Sequence, residues 1–185
     1  MNFVGIKGSK TEKNLYRTFA GESRARNMYS FFAEQARIEG YMWIAQVFDD
    51  IADNEKAHAR IAFKKYLREV DCTIDNLLVA SKGELQETSE TYKKFEEVAR
   101  DEGFEEIADF YKELREVEES HYKRFMKIHK ELEDSKLLKS SREKKWQCMN
   151  CGYIYIGTEV PSRCPLCGYP RGYFMPYDEL KCEGE

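Results

Sequence analysis

Two Glu-x-x-His motifs hold the residues of this sequence that are best suited to metal chemistry. Glu55 and His58 form the first motif, and Glu118 and His121 form the second. Residues three positions apart share one face of a helix, so each motif can offer a carboxylate and an imidazole to the same ion. The chain has three histidines, and the third, His129, is interpreted as an ordinary helix residue.

The two motifs occupy equivalent positions in an internal repeat. A shift of 63 residues superposes Glu55 on Glu118 and His58 on His121, and it also superposes Tyr29 on Tyr92, Phe32 on Phe95, Glu34 on Glu97, Ala36 on Ala99, Arg37 on Arg100, Glu39 on Glu102, Gly40 on Gly103, Ile44 on Ile107 and Ala45 on Ala108. One motif alone could be a chance pattern on a solvated helix, but equal positions in a repeat favour a site. Two copies of an amphipathic helical hairpin predict a four-helix bundle with approximate two-fold symmetry.

Carboxylates on the first helix of each hairpin complete the predicted ligand set. Glu22 lies in the first copy, and Glu87 and Glu90 form a pair three residues apart in the second. One glutamate from each of two helices, with Glu-x-x-His from the other two, is the ligand set of di-iron and di-manganese bundles. So many carboxylates in one core require cations to neutralise them, and carboxylate with imidazole suits iron or manganese.

A second metal motif lies near the C-terminus. Cys148 and Cys151 form one Cys-x-x-Cys-Gly unit, and Cys164 and Cys167 form another. Four thiolates predict a tetrahedral site, and the spacing leaves zinc or iron open, although a metal site in the same chain favours redox-active iron. Two cysteines remain, Cys72 and Cys182, and they are interpreted as ordinary free thiols.

Composition limits the classes of function. The chain has 185 residues, with 30 basic and 34 acidic side chains, so nucleic acid and anionic membranes are poor candidate partners. The first ten residues do not have the apolar run of a signal peptide, and no stretch approaches the ~20 apolar residues of a membrane span. We therefore expect a soluble, cytoplasmic protein, in which cysteines favour metal over disulfides.

Residues 11–138 contain no proline and show apolar residues at helical spacing, while all four prolines follow Ser140. The predicted helices are 10–38, 41–68, 73–101 and 104–133, with Gly40 and Gly103 at the turns. The predicted domains are a mainly α four-helix bundle at 1–138, a linker at 139–145 and a small four-cysteine domain at 146–185.

The chain resembles the rubrerythrins over nearly its whole length. The resemblance rests on segments 10–15 (KTEKNL), 19–27 (FAGESRARN), 39–41 (EGY), 54–58 (NEKAH), 83–87 (GELQE), 102–104 (EGF) and 146–153 (WQCMNCGY). It implies a ferritin-like four-helix bundle followed by a rubredoxin-like domain. It also implies the ligands of two iron ions, bridged by carboxylates, and those of one Fe(Cys)4 site, three iron ions per subunit: Glu22, Glu55, His58, Glu87, Glu90, Glu118, His121, Cys148, Cys151, Cys164 and Cys167.

The resemblance further implies a peroxidase that protects against oxidative stress by reducing hydrogen peroxide to water. Electrons would enter through the rubredoxin-type iron from an NAD(P)H oxidoreductase or a separate rubredoxin. Glu90 and His58 are similar to the family pair that compete for one iron as its oxidation state changes. Phe104 stands where family members often have tyrosine, and Tyr29 offers the other hydroxyl near the ligands.

The resemblance also bears on assembly, because a rubrerythrin-type bundle has its second and third helices parallel. Residues 69–72 span only ~14 Å when extended, whereas the connection must cover ~40 Å. We therefore expect a helix-swapped homodimer, in which each site takes Glu22, Glu55 and His58 from one subunit and the remaining ligands from the other. The alternative is an extended crossover over residues 73–82, which would permit an unswapped fold.

Two other functions are compatible with parts of this pattern. A ferroxidase or iron-storage protein shares the carboxylate set, but it does not need an attached cysteine site as electron donor. An electron carrier or a zinc-stabilised scaffold with an inert bundle would explain the cysteines alone. The metal content and the visible spectrum distinguish these alternatives.

Overall fold

The computed structural model describes residues 5–177. The chain divides into two compact units, Met1–Cys72 and Thr73–Glu185. The first unit is a helical hairpin, and the second contains another helical hairpin and a small sheet. Among the described residues, no helix is long and apolar enough to cross a membrane.

The first hairpin consists of α1 (Lys10–Ile38) and α2 (Met42–Arg60), and α2 continues into a first π segment (Ile61–Leu67). Ser9 caps α1, because its hydroxyl accepts a hydrogen bond from the Glu12 amide at 3.0 Å. The helices meet through small side chains, Ala33, Ala36 and Ala45, with Phe48 packed against them. Residues without bulk at the contact allow the two backbones to approach closely.

The turn after α1 follows from one glycine. Gly40 has φ of 84°, the left-handed conformation that glycine adopts without steric cost. The Tyr41 amide then donates to the Ala36 carbonyl at 2.8 Å, which closes the helix end. Gly103 repeats this geometry in the second hairpin, where the Phe104 amide donates to the Ala99 carbonyl at 2.8 Å.

The second hairpin consists of α3 (Thr73–Gln86), a second π segment (Glu87–Thr91), α4 (Tyr92–Asp101) and α5 (Glu105–Glu133). The predicted helix bounds are close to these, but the sequence analysis did not predict either π segment. The extended crossover considered for residues 73–82 is wrong, because α3 begins at Thr73.

The C-terminal part forms a three-stranded antiparallel sheet in the order β2-β1-β3. The strands are β1 (Lys139–Cys148), β2 (Ile154–Glu159) and β3 (Phe174–Pro176). Trp146 is fully buried, and its indole N–H donates to the Gly157 carbonyl at 3.0 Å. The buried core beside this sheet also contains Cys148, Val160, Cys164 and Phe174.

Residues 139–145, which the sequence analysis predicted as a linker, belong to strand β1. Lys139 pairs with Glu159, and Lys144 and Lys145 pair with Gly157 and Ile156, with an irregularity between the two stretches. Five of the seven residues in this segment are charged. Its backbone nevertheless has a partner in β2, and one face of a strand tolerates charge.

Candidate metal centres

The first candidate group lies in the first hairpin. Glu22 on α1 faces Glu55 and His58 on α2, and one ligand atom from each lies within 4.8 Å of the others. His58 Nδ1 is 2.9 Å from Glu55 Oε2. The hydrogen bond to Glu55 raises the pKa of Glu22, whereas hydrogen bonds from His58 and Glu22 lower the pKa of Glu55. Two carboxylates therefore compete for one proton at the point where they could share a cation.

The second candidate group repeats this arrangement in the second hairpin. Glu84 on α3 faces Glu118 and His121 on α5, and their ligand atoms also lie within 4.8 Å of one another. His121 Nδ1 is 2.7 Å from Glu118 Oε2 and 3.7 Å from Glu84 Oε2. Burial raises the pKa of Glu84, and so does its hydrogen bond with Glu118. Each unit thus presents two carboxylates and one imidazole, a donor set that fits iron or manganese.

Glu84 is the ligand candidate that the sequence analysis missed. The structure groups Glu84 with Glu118 and His121, and it leaves the predicted Glu87 and Glu90 outside this group. Glu90 is exposed, and that Glu90 is a ligand stays a prediction. The signal was present as a Gly-Glu pair in both copies, Gly21-Glu22 and Gly83-Glu84, which superpose with a shift of 62 and not 63.

The second π segment explains the change of shift. Tyr29 lies seven positions after Glu22, whereas Tyr92 lies eight positions after Glu84. A π turn holds one more residue than an α turn, so the second copy absorbs its extra residue between Glu84 and Tyr92. In the first copy the same stretch of α1 is uninterrupted α-helix.

Glu87 opens the second π segment and lies beside the second group. Its charge contributes to the raised pKa of Glu84. Burial raises the pKa of Tyr92, and the charge of Glu87 and a hydrogen bond with it raise that pKa further. Tyr92 therefore provides a hydroxyl next to a candidate ligand, a role that the sequence analysis did not give it. That Glu87 is a ligand stays a prediction.

The hydroxyl candidate Tyr29 and the substituted position Phe104 lie in different surroundings. The Tyr29 ring packs against Phe32 and Phe48, with 6.3 Å between ring centroids in each pair. Phe104 is 54% exposed and precedes the first residue of α5. The catalytic role of Tyr29 stays a prediction.

The four predicted cysteines come together in the C-terminal sheet region. Cys148 Sγ lies 3.8 Å from Cys167 Sγ, and Cys151 Sγ lies 3.7 Å from Cys164 Sγ. A tetrahedral site with metal–sulfur bonds of ~2.3 Å has edges of ~3.8 Å, so this spacing fits one ion. Two turns produce it, with φ of 77° at Gly152 and 73° at Gly168.

Backbone amides act on the thiols of this cluster. A hydrogen bond from the Tyr169 amide lowers the pKa of Cys167 to about 6. The matching bond from the Tyr153 amide also favours thiolate at Cys151, but burial and the three neighbouring thiols outweigh it and raise the pKa of Cys151 to about 12. Four adjacent thiols cannot all ionise unless a cation neutralises their charges. A bound metal ion would provide that cation.

The remaining cysteines and the third histidine are interpreted as ordinary residues. Cys72 is exposed, and neither Cys72 nor His129 belongs to a candidate metal group of residues 5–177. Cys182 lies outside the described residues.

Comparison with known proteins identifies relatives of this chain over most of its length. A family model described as rubrerythrin matches residues 13–129 and 75–152, and one described as the rubrerythrin rubredoxin-like domain matches residues 146–175. A rubrerythrin of Clostridium perfringens is 39% identical over 94% of this chain and 97% of its own length. A rubrerythrin of Porphyromonas gingivalis is 40% identical over 92% of each chain. The chain belongs to the rubrerythrin family.

A third relative, a rubrerythrin of Nitratidesulfovibrio vulgaris, is 38% identical over 91% of this chain and 95% of its own. The resemblance inferred from the motifs is therefore confirmed, and so is the fold class, ferritin-like helices followed by a rubredoxin-like domain with a cysteine cluster. Membership in this family indicates a di-iron protein that acts in the response to oxidative stress.

Proposed function

We propose that the protein is a peroxidase that reduces hydrogen peroxide to water at a di-iron site. The observation that carries the proposal is the occurrence of two equivalent Glu-Glu-His groups and a four-cysteine cluster in one chain. A ferrous pair held by these residues would supply the two electrons that cleavage of the O–O bond requires, and two protons would complete two molecules of water. The one chain thus contains the residues for a two-electron site and for a one-electron site.

The residues of the two groups would hold the metal pair and balance its charge. Glu55 and Glu118 each have an imidazole within hydrogen-bonding distance, so either carboxylate is oriented before a cation binds. Glu22 and Glu84 provide the opposing carboxylates. Tyr92 would orient the Glu87 carboxylate through its hydroxyl. Carboxylates from both hairpins are needed, because three protein ligands alone leave each ion incompletely bound.

The four cysteines would hold one iron and pass electrons to the di-iron site. The sulfur spacing and the amide hydrogen bond at Cys167 support a thiolate site. The electrons for this iron would come from an NAD(P)H oxidoreductase or a separate rubredoxin. A site of this kind in the same chain as the carboxylate groups favours the peroxidase over the ferroxidase alternative, which does not require a built-in reductant.

A helix-swapped homodimer would bring the two groups together. If a family-type bundle places Glu55 and Glu84 at one level in parallel helices, the connection from Leu67 to Thr73 would have to cover ~35 Å, given the helix bounds. The six residue steps from Leu67 to Thr73 reach only ~20 Å when fully extended. Large apolar side chains of both hairpins also lack cover, since Trp43 is 81%, Phe31 62% and Phe110 56% exposed. A second copy of the chain fits both facts, because each hairpin would pack on its complement in the partner.

The function is tested by anaerobic titration of dithionite-reduced, iron-loaded protein with hydrogen peroxide. We expect one peroxide to oxidise two ferrous ions, with three iron ions per chain and no release of partly reduced oxygen. Cys148→Ser should leave the oxidation by peroxide intact and slow the subsequent reduction by an electron donor. Cys72→Ser is the matched control, because Cys72 lies outside the cluster. Oxygen-driven deposition of ferric mineral without peroxide turnover would favour the ferroxidase instead.

A further inference from the structure

An arginine from α5 contacts the second π segment directly. Arg115 Nε donates a hydrogen bond to the main-chain carbonyl of Thr88 at 3.2 Å. Thr88 is the second residue of this segment, which begins at Glu87. Its hydroxyl is buried and has no hydrogen-bond partner among residues 5–177. Thr88 is therefore hydrogen-bonded to α5 through its main-chain carbonyl and not through its side chain.

The same guanidinium reaches the helix that follows the segment. Arg115 Nη1 donates to Glu96 Oε2 at 2.8 Å, and Glu96 belongs to α4. Arg115 therefore links residue 88, inside the π segment, to residue 96, beyond its end. A planar guanidinium can hold two acceptors in fixed directions, which a lysine ammonium cannot do.

Glu96 in turn fixes the arginine. Its side chain is 15% exposed and that of Arg115 is 30% exposed, so both side chains are partly buried. The hydrogen bond from Arg115 lowers the pKa of Glu96, and a bond from Arg100 acts in the same direction. Burying such a pair gives little net stability over an apolar pair, which suggests that this pair serves to fix a conformation.

The first hairpin provides the comparison. Under the shift of 63 residues, Arg115 corresponds to Ala52 and Glu96 corresponds to Ala33. Both alanines are buried, 5% and 0% exposed. The hairpin with uninterrupted α1 thus has two alanines at these positions, and the hairpin with the extra residue has the charged pair. The arginine and the inserted residue occur together in one copy only.

The arginine also lies close to the second metal group. Arg115 precedes Glu118 by three residues on α5, so the two side chains share a helix face. Glu87, at the start of the π segment, is adjacent to Thr88. A contact that fixes the Thr88 carbonyl therefore limits where the Glu87 side chain can lie.

We propose that Arg115, held by Glu96, is a positioning residue that fixes the second π segment and thereby the place of Glu87 beside Glu84, Glu118 and His121. The part that concerns Glu87 rests on the proposed di-iron function. The part that concerns the π segment does not, because it can be measured without metal.

The first test is hydrogen exchange of metal-free, full-length protein. We expect Arg115→Ala to raise exchange of the amides of residues 87–92 about tenfold, as loss of a charge-assisted hydrogen bond implies, and to leave α1 unchanged. Arg100→Ala is the matched control. Arg100 also forms an ion pair with Glu96, but its other partners are Glu105 and Asp109 and not residues of the π segment. Equal effects of the two substitutions, or no effect of Arg115→Ala, would overturn the proposal.

A double variant covers the case in which Arg115→Ala does not fold because Glu96 is left unpaired. Arg115→Ala/Glu96→Ala recreates the alanine pair of the first hairpin. We expect it to fold and still to exchange faster at residues 87–92 than the wild type. Wild-type exchange in the folded double variant would show that the pair does not hold the segment.

The second test reads the metal environment by the visible spectrum of cobalt-loaded protein whose cysteine site is filled with colourless zinc. We expect Arg115→Ala to shift the cobalt bands in the direction given by Glu87→Gln, and Arg100→Ala to leave them unchanged. Unshifted bands in Arg115→Ala, with shifted bands in Glu87→Gln, would refute positioning of Glu87. Unshifted bands in Glu87→Gln would instead remove Glu87 from the proposed di-iron ligands, and the exchange result would still decide the role of Arg115.

Discussion

Glu84 shares a hydrogen bond with Glu118 across the second hairpin, and burial together with this bond raises the pKa of Glu84. We expect Glu84→Gln to weaken binding of Mn2+ by at least ~10-fold, because it removes a charged donor from the second group. Titration calorimetry with the cysteine site filled by zinc measures this affinity. Glu90→Gln is the control, since Glu90 is exposed and outside the group. Equal losses in both variants would support the prediction that Glu90 is also a ligand.

Metal binding at these groups should release protons. Hydrogen bonding to Glu55 raises the pKa of Glu22, and the pKa of Glu84 is also raised, so each retains a proton at higher pH than a free glutamate. A cation must displace that proton, and affinity should therefore fall as the pH is lowered from about 7 to about 5. Proton release on addition of Mn2+ in weakly buffered solution checks the sign. Binding that is independent of pH in this range would contradict it.

Tyr16 donates a hydrogen bond to Glu69, which joins α1 to the residues after the first π segment. This bond, followed by burial and the charge of Glu69, raises the pKa of Tyr16 to about 12. A group whose folded pKa exceeds its unfolded value of 10.0 stabilises the fold fully below pH ~10 and loses this effect as the pH rises towards ~12. Urea unfolding at these pH values should show a steeper loss of stability in the wild type than in Tyr16→Phe. Parallel curves would mean that the bond does not persist in solution.

Mixed dimers test the helix swap. Glu55→Ala and Glu118→Ala each alter one of the two hairpins, so each homodimer should lose both di-iron sites. In a swapped heterodimer of the two variants, one site receives both altered hairpins and the other receives none, so about half of the wild-type activity should return. Without a swap, each subunit of the mixture keeps its own defect and no activity returns. Peroxide turnover by the tagged and purified heterodimer distinguishes the two assemblies.

Removal of metal from the cysteine cluster should loosen the sheet around Trp146. The chain has two tryptophans, and Trp43→Phe leaves the fully buried Trp146 as the single emitter. Cys148 and Cys164 belong to the same buried cluster as this ring, so an uncompensated thiol set disturbs its packing. We expect the emission to shift to longer wavelength on chelation and to return on addition of Zn2+. Emission that stays unchanged after complete metal removal would show that the sheet is stable without its ion.

Local signals in the sequence predicted much of the fold. The glycines at 40 and 103 marked both hairpin turns, because only a residue that tolerates positive φ allows the next amide to close the helix end. The cysteine spacing predicted the four-sulfur cluster for a similar reason, since each glycine after the second cysteine permits the tight turn. In both cases a few adjacent residues determine the geometry.

The misses depended on partners that are distant in sequence. A single repeat shift of 63 superposes Glu22 on Leu85 and so concealed Glu84, because one extra residue in the second hairpin is absorbed by a π turn. Hydrophobic periodicity is too coarse to register such an insertion. The strand at Lys139 was missed for a related reason, since its backbone partner, Glu159, is twenty residues away and its own side chains resemble those of a coil.

The inserted residue in the second hairpin also has a consequence for how such proteins diverge. A bundle built from two identical chains of one hairpin must carry every insertion in both halves. In a chain that contains both hairpins, each can differ independently, and here Glu96 and Arg115 accompany a π turn in one hairpin while Ala33 and Ala52 occupy the equivalent positions in the other. Two hairpins in one chain can thereby give two nearly equal metal positions unequal surroundings, so that each ion can serve a different task.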